Sequence, residues 1–211
     1  MNLYSFFDIE HNSNLNVPST ETIANTLNDI VTPKLSLIGL SNKQKKYIWQ
    51  GVYNAEGIKP IIRFKYRNLN TAFFVGVNFS FIPSLTQNKK TAHYNYALQV
   101  YENSKYFEKG YSIRLWNKSF FRQSLQKFIN SNFRKISKFL IRLDSLEANI
   151  TLAENQFASK KYNYRIYNPE LPYVLAHLYH RQGNMVEALK MKTLFLKENE
   201  GYDDSIFKGF I

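Results

Sequence analysis

The chain predicts an α+β fold: an N-terminal helix, an antiparallel sheet of about five strands, then C-terminal helices ending in a helical hairpin. Two changes of period predict it. Apolar residues recur at helical spacing up to about residue 40, at every second position in segments between Tyr47 and Trp116, and at helical spacing again from Asn117 onward. The third observation is order. The strand-like segments follow one another through short polar connections, and an antiparallel meander is the simplest arrangement of such a series. A chain of 211 residues, 44% hydrophobic and 16% aromatic, can bury a core without staples. A single domain over residues 1–211 is expected, with 168–200 as a hairpin packed on 1–158.

Residues 3–9 form a short candidate strand ahead of the turn-rich HNSNLNVPS. Ser19 or Thr20 then caps a helix, Glu21 suits its positive end, and Ile23, Leu27, Ile30 and Val31 make one apolar stripe ending near Pro33. Gly39 punctuates before the charged SNKQKK. Tyr47 to Tyr53 reads as a strand and NAEGIK as a hairpin loop. In IIRFKYR, Ile62, Phe64 and Tyr66 take one face while Arg63, Lys65 and Arg67 take the other. In TAFFVGVNFSFI, Phe73, Val75, Val77, Phe79 and Phe81 are apolar, with Gly76, Asn78 and Ser80 opposite on a face expected to be wet. HYNYALQVY and YSIRLW complete the strands. Two helices, or one bent one, then run to about Gln156, and Asn168-Pro169 opens a final pair.

The formal charge of +12 is concentrated in the middle of the chain. Residues 57–140 hold fifteen Lys and Arg against only Glu102 and Glu108, and no acid lies between Gly57 and Tyr101. A region of one sign attracts an acidic partner and speeds its encounter. The absence of cysteine excludes disulfides, thiolate metal sites and a cysteine nucleophile. MNLYSFFDIEHN has no positive segment before its apolar run, against a secretory signal, and no stretch approaches the ~20 apolar residues of a membrane span. A cytoplasmic location and no membrane partner are expected.

Catalytic signals are weak. Phe7-Asp8-Ile9-Glu10 is similar to the first motif of the exonuclease family that holds two metal ions on an Asp-x-Glu strand. Asp29, Asp144, Asp203 and Asp204 do not supply the other carboxylates such a cage needs, so a solvent-facing acidic pair is expected. His177 and His180 sit one helical turn apart without a third ligand nearby and read as histidines on the exposed side of a hairpin. No phosphate-cradling glycine loop and no nucleophile turn occurs. A non-enzymatic protein without cofactor or metal is the expectation.

Two resemblances add to this. Leu175, Ala176, Tyr179, Gly183-Asn184 and Glu187-Ala188-Leu189 resemble a single tetratricopeptide unit over residues 169–196. About three such units are needed to bury a continuous core, so one unit implies a lone helical hairpin. Residues 20–85, through Gly39, Lys45, Lys46, Ile61, Phe64, Phe73, Gly76 and Val77, resemble a bacterial α+β domain-of-unknown-function family with immunity-like members. That resemblance implies a small interaction protein.

The expected function is therefore non-catalytic protein binding, as an immunity or adaptor protein, through a basic sheet face that meets an acidic protein surface. Arg63, Lys65, Arg67 and Arg114 are its charges and Trp116 its anchor, since hot spots favour Trp and Arg. The alternative is a single-stranded nucleic-acid-binding protein using the same face, with Asn78, Ser80, Asn95 and Gln99 as polar contacts and Trp116 and Tyr101 as stacking rings.

Overall fold

A computed structural model describes residues 16–42, 47–67, 69–86, 88–107, 113–208 and 210. The candidate strand at residues 3–9 and the Asp8/Glu10 pair lie outside them. The architecture is α+β, with seven α-helices among the described residues, an antiparallel sheet and C-terminal helices. Among the described residues the sheet has four strands rather than about five, in the order β1-β2-β3-β4: β1 (Ile48–Gln50), β2 (Ile58–Arg67), β3 (Asn70–Phe79) and β4 (Val100–Asn103). A separate two-stranded ribbon pairs Ser84 with Ala92 and Leu85 with Thr91.

Contacts divide the chain into two compact units, one of Met1–Trp49, Ile62–Phe74 and Asn103–Lys138, the other of Gln50–Ile61, Val75–Glu102 and Phe139–Ile211. In the first, helix α1 (Thr20–Ser36) starts as expected, with the Ser19 side chain accepting from the Thr22 N–H. Helix α1 meets the sheet at Trp49, fully buried, whose indole N–H donates to Thr32 at 2.9 Å. A short helix α2 (Ser104–Phe107) follows β4, and α3 (Lys118–Arg142) begins in this unit. The Phe64 ring lies 5.0 Å from Phe73 and 6.2 Å from Phe121 of α3, and Phe73 stacks on Phe128 at 5.4 Å. Such ring pairs contribute about 1 kcal/mol each beyond the area they bury.

In the second unit two polar positions of the expected wet face are internal. Asn78 is 1% and Gln99 4% exposed, which corrects the expectation of a wet face. The Gln99 carboxamide accepts from the Phe79 N–H (2.7 Å) and the Asn78 amide (3.1 Å) and donates to the Ile82 carbonyl (2.8 Å). That side chain takes hydrogen bonds a longer strand would make with its backbone. The expected strand at 93–101 is accordingly reduced to its last two residues, which begin β4, and Tyr94–Ala97 closes a turn instead.

Helix α4 (Leu146–Ala158) is capped by Ser145, which accepts from the Ala148 N–H, and by the Glu56 carboxylate, which accepts from the Leu146 N–H at 2.6 Å. Ser145→Ala is expected to lower stability by about 1 kcal/mol, read as a shift in the urea midpoint at constant slope. After the short α5 (Tyr164–Tyr167), the hairpin is α6 (Leu171–Gln182) and α7 (Met185–Glu198). Its turn is the expected one: Gly183 is left-handed (φ 87°) and the Asn184 side chain caps α7. Helix α6 starts at Leu171 rather than Pro169 because the Asn168 side chain is drawn inward, donating to the Gln99 carbonyl at 3.2 Å.

Candidate partner-binding site

The strand alternation predicted for β2 is present. Ile62 and Phe64 are buried, Arg63 is half-buried, and Lys65 and Arg67 are exposed. The cause is the packing of the opposite face: rings at Phe64 and Phe73 are held against α3, so the intervening side chains turn away from that helix. On this second face the Lys65 ammonium sits over the Phe74 ring, 5.1 Å from its centroid. Desolvation, and behind it the neighbouring Arg63 charge, lowers the pKa of Lys65 below the ordinary lysine value. Among the described residues no carboxylate forms an ion pair with Lys65 or Arg67.

Arg114 and Trp116 form a second cluster. The expected strand YSIRLW has no regular structure over its described part, residues 113–116. Side chains replace the ladder there: the Arg114 N–H donates to the Ser124 hydroxyl of α3 (2.9 Å), and the Ile113 carbonyl accepts from Thr71 (3.2 Å). Ile113 and Leu115 are buried, which leaves Arg114 exposed. Its guanidinium stacks 4.9 Å from the Trp116 ring, which meets Phe120 edge-on at 5.6 Å. Phe120 is 49% exposed. Thr71 is on the same face of β3 as Phe73, so this cluster belongs to the helix side of the strands and the Arg63, Lys65 and Arg67 row to the other.

The other residues assigned to a nucleic-acid platform lie in the second unit. Asn78 and Gln99 are buried and bonded to each other, Ser80 and Asn95 are exposed, and the Tyr101 hydroxyl donates to the Tyr167 carbonyl at 2.7 Å. The expected exposure of both histidines is corrected at His177, which is 7% exposed and ringed by Tyr173 (4.6 Å), Phe207 (5.6 Å) and Phe210 (4.9 Å).

The basic residues that the sequence places along the helical turns after Asn117 lie on α3. Helix α3 has no acidic residue in its 25 positions, and Arg122, Lys127, Arg134 and Lys138 are exposed on it. Only Arg122 of these four has a carboxylate partner among the described residues, Asp29 at 3.2 Å with both side chains more than half exposed. The signal was legible as an acid-free helical run.

Fold and site together define a basic α+β protein in which one unit carries exposed cations on a strand, at a loop and along a helix. No family model, curated protein or solved structure matches the chain. Among the described residues no helix is long and apolar enough to cross a membrane.

Proposed function

We propose that the protein is a non-catalytic interaction protein of immunity or adaptor type, acting in the cytoplasm, whose basic β2 row receives an acidic protein surface. The observation that carries this reading is the exposure of Lys65 and Arg67 without a carboxylate partner among the described residues, in a stretch of sequence that contains no acid. Cations left unneutralised on a strand cost little in water and accelerate the encounter with a surface of opposite sign. Arg63 adds charge at the half-buried end of the row.

Single-stranded nucleic acid is the second reading, favoured by the Arg114, Trp116 and Phe120 cluster, where an exposed ring stands next to a stacked guanidinium. Fluorescence anisotropy with labelled poly-glutamate and with a labelled oligothymidylate separates the two. Poly-glutamate is expected to bind the wild type and to bind Lys65→Glu/Arg67→Glu at least tenfold more weakly, chiefly through slower association. Tight oligothymidylate binding that falls steeply between about 50 and 200 mM salt, and that is lost in Trp116→Ala/Phe120→Ala, moves the assignment to nucleic acid. Binding of neither polyanion overturns both.

A further inference from the structure

Beside β4, in the second unit, stands a group of side chains outside the basic site. Gln156 of α4 is 3% exposed, and its amide nitrogen donates to the Tyr101 carbonyl and to Glu102 Oε1, both at 2.8 Å. Those two bonds fix the orientation of the carboxamide and leave its Oε1 buried without a hydrogen-bond partner. The Tyr162 hydroxyl is buried and unpartnered as well. Its ring packs 5.6 Å from Tyr167, whose carbonyl accepts the Tyr101 hydroxyl. Burial holds the Glu102 carboxyl above its ordinary range, with the Gln156 bond pulling it back. Burial first, then the charges of Tyr101, Glu102 and Tyr167, raises the Tyr162 phenol. Among the described residues no cation pairs with Glu102.

Among the described residues two oxygens here lack a donor and one carboxylate lacks a cation, while the Tyr162 O–H is itself a donor. A partly desolvated carboxylate costs free energy unless a positive charge faces it, and a buried amide oxygen and phenol oxygen cost unless a donor reaches them. Aromatic ring faces attract cations. A neutral donor would satisfy the oxygens and leave the carboxylate uncompensated. A quaternary ammonium would neutralise the charge and leave the oxygens without donors. Among the described residues no three His, Asp or Glu side chains are grouped to hold a metal ion. Tyr167 is 52% exposed, and Tyr101, Glu102 and Tyr162 are half-buried, so solvent reaches the rim of the group while the two unpartnered oxygens lie beneath it.

The geometry points to a binding site for an organic cation that carries N–H donors, a guanidinium or primary ammonium group, seated on Glu102, Gln156 and Tyr162 and flanked by the rings of Tyr101 and Tyr167. The guest is either a free small amine or a basic side chain of a peptide. Their recognition chemistry is the same.

The test is titration of the full chain with methylguanidinium, followed by two-dimensional NMR of the tyrosine and Gln156 side-chain signals. Saturable shifts confined to Tyr101, Gln156, Tyr162 and Tyr167 are expected. Tetramethylammonium, with the charge but no donors, and urea, with the donors but no charge, are expected to bind at least tenfold more weakly. Glu102→Gln is expected to weaken methylguanidinium at least tenfold. Tyr162→Phe removes one oxygen at nearly constant volume and serves if the first variant fails to fold; a several-fold loss is expected. A capped arginine tripeptide binding more tightly than methylguanidinium assigns the guest to a peptide, and the reverse order assigns it to a free amine; both support the site. Absence of saturable shifts, equal affinity for urea, or unchanged affinity in both variants overturns it.

Discussion

Gly76→Ala is expected to destabilise the protein by about 3 kcal/mol, at the upper end of overpacking costs, and to lower its melting temperature by roughly 6–12 °C for a chain of this size. Gly76 lies mid-way along β3, where β4 pairs with it. A Cβ placed there collides with the Val100 carbonyl oxygen and comes within 2.6 Å of the Tyr101 Cα. These are backbone atoms of the neighbouring strand, and no rotamer change relieves them. The strands must separate, which loosens Val100, fully buried, and the Gln99 bonds beside it. Gly39 is the control. It is left-handed (φ 77°) with open space around its Cβ position, so Gly39→Ala carries only the conformational cost of about 1 kcal/mol. Thermal melts of the two variants compare close approach with backbone conformation. Equal melting temperatures would show that β3 and β4 are not packed as described.

Acidification is expected to remove about 3 kcal/mol of stability through His177 alone between about pH 6.5 and 4. Burial against Tyr173, Phe207 and Phe210, and behind it the charge of His180, lowers the His177 pKa from 6.5 to about 4. The folded state therefore refuses a proton that the unfolded chain accepts. At pH 7 the group is neutral in both states and contributes nothing. As pH falls through 6.5 the unfolded chain gains protons first, so stability declines until the folded state also protonates near pH 4. Glu102, whose pKa is raised, acts with the opposite sign, and a difference measurement removes it. His177→Phe keeps a ring in the same aromatic surroundings and deletes the Nε2 that has no hydrogen-bond partner. Its stability is expected to be within about 1.5 kcal/mol of wild type at pH 7 and to exceed it increasingly toward pH 4. Parallel urea-midpoint profiles for the two proteins would contradict the assignment.

The elements legible in the sequence were those governed by residues close together along it. Ser19 caps α1 through an oxygen that reaches a neighbouring turn, and Gly183-Asn184 sets the α6–α7 turn by its own backbone and side chain. The alternation in β2 was legible because one face is packed with aromatic rings, and a shift by one residue would expose them. Segments 93–99 and 113–115 also alternate, yet they are not strands. There, Gln99, Ser124 and Thr71 supply the hydrogen bonds that a strand partner would supply, and nothing local signals it. Arg114 was legible as an outward cation, but its stacking on Trp116 and its separation from the β2 row were not.

The sequence alone determined the order of helix, sheet and helices, the concentration of positive charge in residues 57–140 and the alternation that turns Lys65 and Arg67 outward. Each follows from local periodicity or composition. Only the tertiary structure decided that Asn78 and Gln99 are buried, that His177 sits among the rings of Tyr173, Phe207 and Phe210, and that Glu102 accepts from Gln156. A group's solvation and its hydrogen-bond partners depend on what covers it, and the covering atoms here come from residues as many as 69 positions away in the chain.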